Sequence, residues 1–73
     1  MDAERLIYMA NQIGKFFAHK PEAEAVAGIE EHIRQFWEPR MRKAILAADP
    51  QGLDPLPRAA VARLRLTESA PQT

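Results

Sequence analysis

Three prolines divide this chain before any other signal does. Pro21 in "AHKPEAE", Pro39 in "FWEPRMR" and Pro55 in "GLDPLPR" each follow an apolar stretch and open another. Proline has no backbone N–H and a fixed φ, so it breaks a helix interior. The first turn of a helix tolerates it, because the N–H groups there have no intrahelical partner. The residue before each proline is pushed out of the helical region. The three sites therefore read as three helix starts, and the segment ahead of Pro21 reads as another helix.

The apolar spacing inside each segment agrees. Over residues 3–18, Leu6, Met9, Ala10, Ile13, Phe16 and Phe17 recur three and four apart and predict one buried face. Asp2 is the expected N-cap, and Glu4 suits the positive end of the helix dipole. After Pro21, the residues Val26, Ile29, Ile33, Phe36 and Trp37 form the apolar face. Glu30 and Arg34 should pair one turn apart, as should Glu38 and Arg42. Gly28 in mid-helix implies close packing against a neighbour. The third helix is expected over 39–48, with Met41, Ala44, Ile45 and Ala48 inward and Leu46 facing elsewhere. "DPQGLDPLP" is a turn region. Asp54 and Pro55 then start a last, short helix with Leu56, Ala60, Val61 and Leu64 on one side. No sustained alternation of period two suggests a strand. The expected fold is all-α: a single helical domain over 1–66 with three main helices and a short C-terminal one. The first two helices should pack antiparallel, because their connection is short. Residues 67–73, "TESAPQT", are expected to form a disordered tail.

Size and charge limit what such a domain can do. For 73 residues, the conformational entropy lost and the apolar burial gained each come to about 110 kcal/mol and cancel. With no cysteine, neither a disulfide nor a thiolate metal site can help. A chain this marginal gains stability from a partner. Ten basic and ten acidic residues leave no net charge, which opposes a role built on nucleic acid. No apolar run approaches the roughly 20 residues of a membrane span. "MDAERLIYMANQ" carries no signal-peptide pattern, so we expect a cytoplasmic protein.

Catalytic chemistry is poorly supplied. His19 and His32 are far apart, and neither belongs to a metal-binding motif. Glu22, Glu24, Glu30 and Glu31 read as a solvated helix face. The three glycines make no phosphate loop. We expect no catalytic residue, no metal site and no cofactor bound by this chain alone.

The most informative stretch is "FWEPRMRKAIL", which sets Phe36 and Trp37 beside a cluster of Arg34, Arg40, Arg42 and Lys43. Arginine forks carboxylates and phosphates with two donors at once. Trp and Arg are enriched at binding hot spots, although Trp37 also suits a core. On this reading Phe36 and Trp37 close the core, and the basic cluster faces a partner. Asn11 and Gln12 join it as polar contacts held on a helix.

"LIYMANQIGKFFA" followed by "EAVAGIEEHIRQFWEPRMRKAIL" resembles the delta subunit of NAD-dependent, molybdenum-containing formate dehydrogenases. The match is carried by Met9–Ile13, Phe16–Phe17, Phe36–Trp37 and Pro39–Arg42, and it covers roughly residues 4–66. The resemblance implies a non-catalytic accessory subunit of a cytoplasmic complex. In that family the alpha subunit holds bis-molybdopterin guanine dinucleotide and iron–sulfur clusters. The beta and gamma subunits carry electrons to NAD through FMN and further clusters. The delta subunit supports assembly or stability of the molybdenum-containing subunit. The basic cluster would then face carboxylates of the alpha subunit or phosphates of its cofactor. Two alternatives stay open: a dissociable chaperone for cofactor insertion, and a small helical DNA-binding regulator. Exposed apolar faces would also permit a homodimer of the isolated chain.

Overall fold

The computed structural model describes residues 2–69. The proline-led boundaries fall where the sequence places them. Helix α1 runs Ala3–Phe17, α2 Glu22–Phe36, α3 Pro39–Ala47 and α4 Pro55–Ser69, with a single 3₁₀ turn at Pro50–Gly52. Asp2 caps α1, its Oδ1 accepting from the Glu4 N–H at 3.1 Å. Pro21 sits just ahead of α2 rather than inside it, and its carbonyl accepts from the Ala25 N–H at 2.9 Å. Pro39 is the first residue of α3, where its missing N–H costs no hydrogen bond. Asp49 turns the chain toward α4 by accepting from the Gln51 N–H at 3.0 Å. Among the described residues there is no strand. No described helix is long and apolar enough to cross a membrane.

The core is small. Leu6 and Ala10 of α1 meet Val26, Ile29 and Ile33 of α2, with Ile45 of α3 and Ala60, Val61 and Leu64 of α4. Trp37 and Leu53 close it from the connecting segments. Helix α2 packs mainly on α4 and then on α1, while α3 lies against α1 and α4. Leu46 does not point away; it packs against the same core.

Two glycines set how closely the helices approach. A Cβ on Gly14 of α1 would lie 2.7 Å from Pro57 Cδ of α4. A Cβ on Gly28 of α2 would lie 2.6 Å from Phe17 Cε1 of α1. Both distances are below van der Waals contact, so the missing side chains are what let the helices touch.

Two expectations about length and order need correction. The last helix is not the short one: α4 has 15 residues, and α3 has 9. Helix α4 also continues past residue 66. Its final turn is held from outside, because Arg42 Nε donates to Glu68 Oε2 at 3.1 Å and Arg34 Nη2 donates to Thr67 Oγ1 at 3.2 Å. Those anchors are absent from local sequence spacing. Residues 70–73 of the expected tail lie outside the described residues.

The helix contacts give a graded prediction. Gly14→Ala should lower stability by about 1–2 kcal/mol, the overpacking against rigid Pro57 exceeding the gain in helix propensity. Gly28→Ala should cost less, because the Phe17 ring can turn aside. Thermal unfolding of both variants checks the order; a more stable Gly14→Ala would refute the close approach.

Candidate partner-binding surface

Adjacent residues on a helix point about 100° apart, so only one of two neighbouring aromatics can face a small core. In α1 that residue is Phe17, which lies on Gly28. Phe16 is left 74% exposed, with its ring edge-on to Phe17 at a centroid distance of 5.4 Å. At the end of α2 it is Trp37, 5% exposed, while Phe36 stands 70% exposed. The expectation that Phe16 and Phe36 belong to the core is therefore corrected. Each is displaced by its larger-contact neighbour.

These leftover rings lie along one edge. Gln12, Ile13, Phe16, Phe17 and His32 line a groove of about 330 Å³ between α1 and α2. Phe36 continues that edge, its ring against His32 at a centroid distance of 4.9 Å and a tilt of 38°. The groove is almost wholly apolar apart from Gln12 and His32, so it suits an apolar ligand surface better than a charged substrate. A second, shallower depression of about 290 Å³ lies between the end of α1 and the start of α4, beside Gly14 and Leu56. Among the described residues, no group of three His, Asp or Glu side chains is placed to hold a metal.

The residues singled out in the sequence separate into two sets. Asn11 is committed internally. Its Nδ2 donates to the Gly52 carbonyl at 3.1 Å and its Oδ1 accepts from the Asp54 N–H at 2.8 Å, tying the turn before α4 to α1. Trp37 is buried. Arg34 pairs with Glu30, as the spacing predicts, and reaches Thr67. Arg42 turns away from its expected partner Glu38. Its Nη1 donates to the Trp37 carbonyl at 2.7 Å and its Nε binds Glu68, so one guanidinium joins the end of α2, the start of α3 and the end of α4. A three-element anchor outcompetes an exposed pair within one helix turn, which contributes only a few tenths of a kcal/mol. Gln12, Arg40 and Lys43 remain exposed. Neither Arg40 nor Lys43 forms an ion pair among the described residues. The basic cluster is thus half scaffold and half surface.

Sequence reasoning missed Phe16 and Phe36 as surface groups. The doublets "FF" and "FW" carried the signal, since each must leave one ring outside a core this narrow.

Residues 5–61 match the family model described as NADH-dependent formate dehydrogenase delta subunit FdsD. No curated protein and no solved structure gives a significant match.

The division of the arginines is testable by thermal unfolding. Arg42→Ala should destabilise the fold by about 1–3 kcal/mol, having removed charge-assisted bonds to two helices. Arg40→Ala and Lys43→Ala should each stay within about 0.5 kcal/mol of the parent. Equal effects at all three positions would contradict the assignment.

Proposed function

Because the chain belongs to the NADH-dependent formate dehydrogenase delta-subunit family, we propose that it is a non-catalytic accessory subunit of a cytoplasmic molybdenum formate dehydrogenase. Its role on this reading is to support assembly and stability of the molybdenum-containing alpha subunit. Bis-molybdopterin guanine dinucleotide, iron–sulfur clusters and FMN reside in the alpha, beta and gamma subunits, and NAD is reduced there. This chain supplies a binding surface rather than a reacting group.

One observation carries the reading: Phe16 and Phe36, both more than two-thirds exposed, border one apolar groove on a domain with little core to spare. Clustered exposed aromatics at a groove are the anchors from which protein interfaces draw most of their binding energy. Arg40, on the turn that follows Phe36, and Lys43 supply cations for carboxylates at the rim of such a contact. The DNA-binding alternative loses ground, since Arg34 and Arg42 are bound within the fold and net charge is zero.

A pull-down of tagged protein from its native cytosol, with metal analysis of the eluate, tests the proposal. The expected result is a large molybdenum- and iron-containing complex that oxidises formate, with this chain at fixed stoichiometry. Recovery of a molybdenum-free large subunit alone would point instead to the dissociable chaperone. Recovery of the chain by itself or on nucleic acid would overturn both. Phe16→Ala and Phe36→Ala should each weaken recovery, by roughly 10-fold or more in affinity, with the helical content of the chain unchanged.

A further inference from the structure

The aromatic edge has a shape that can serve itself. Phe36 projects at one end, its ring tilted against His32, and His32 also lines the groove formed by Gln12, Ile13, Phe16 and Phe17. A knob beside its own kind of hole is the requirement for a two-fold interface, in which the same patch serves both partners. We propose that the isolated chain forms a homodimer through this edge, with Phe36 of each copy seated in the α1–α2 groove of the other. The inference concerns the chain by itself and stands without the accessory-subunit reading.

The exposed area fits a weak contact with a second copy. Tyr8, Phe16 and Phe36 are 63%, 74% and 70% exposed. Tyr8 lies two turns before Phe16 on the same stripe of α1, with Gln12 between them. A buried aromatic side chain removes about 150–250 Å² from water, so the three rings offer roughly 400 Å² per copy. That is about half of the roughly 800 Å² each partner contributes to a standard interface, which makes this a weak, concentration-dependent dimer. The driving force is the same one that makes the chain marginal. Apolar surface that the small core cannot take up is buried against an identical surface, and the folded state gains stability by mass action. A catalytic subunit that docks on this edge would then displace the second copy, so the dimer is the form of the free chain.

Sedimentation velocity of the full chain from about 1 to about 200 µM tests this directly. The expected result is a shift from 8.2 kDa toward twice that mass, with a melting temperature that rises with concentration. Phe36→Ala and Phe16→Ala should each raise the dissociation constant roughly 10-fold or more. Leu66→Ala, at an exposed leucine of α4, should leave it unchanged. Circular dichroism establishes that the variants keep their helices, as their exposure predicts. A monomer at every concentration overturns the proposal. So does a dimer that both phenylalanine variants leave intact, or one that Leu66→Ala dissociates.

Discussion

Glu30, expected on a solvated helix face, is the one charged side chain buried among the described residues, and through it α2 is joined to α4. Its carboxylate accepts from Arg34 one turn along the same helix and forms an ion pair with Arg63 Nε of α4 at 3.0 Å. Both arginines keep about half of their side chains in water. The acid is thus desolvated while its partners are not, and removing it would leave no buried positive charge behind. An ion pair of this kind adds less net stability than its geometry suggests, because desolvation offsets much of the attraction. What it adds is a directed contact between α2 and α4, beside the apolar core that Ile29 and Ile33 share with Ala60, Val61 and Leu64.

Arg42 plays the matching part at the far end. It ties the carbonyl of Trp37 to Glu68, so a single side chain joins the corner after α2 to the last turn of α4. Asn11 does the same for the turn before α4. Three polar side chains therefore set the relative positions of all four helices around a core of about a dozen residues. That division of labour follows from size. A domain this small buries little of its apolar surface, and the geometry it cannot obtain from packing volume it obtains from directed bonds. The remaining apolar surface stays outside, as the Phe16–Phe36 edge. A protein built this way is suited to association.

Much of the fold was legible from local rules. Pro21, Pro39 and Pro55 placed the helix starts to within a residue, and the three- and four-residue spacing named the buried side of α2 and α4. The Glu30–Arg34 pair and the Asp2 cap were read from spacing alone. The misreadings share one cause: each needed knowledge of a contact distant in sequence. Asn11 reaches a turn about forty residues away, and Arg42 reaches Glu68 in a segment that composition alone marks as tail. Phe16 and Phe17 are equivalent on a helical wheel to within one step, and only the position of Gly28 selects Phe17. The candidate surface was only partly visible. Two of the four rings expected to be buried, Phe16 and Phe36, are exposed, and two of the cations expected at a surface, Arg34 and Arg42, make contacts within the fold.

On the proposed function, this chain completes a larger molybdenum enzyme by burying its aromatic edge against the alpha subunit. The most direct measurement is the molybdenum content per alpha subunit purified from cells that lack this chain. The account predicts a low content and low formate oxidation, restored by the wild-type chain and not by a Phe16→Ala, Phe36→Ala double variant. A fully loaded, active enzyme in the absence of the chain would contradict it.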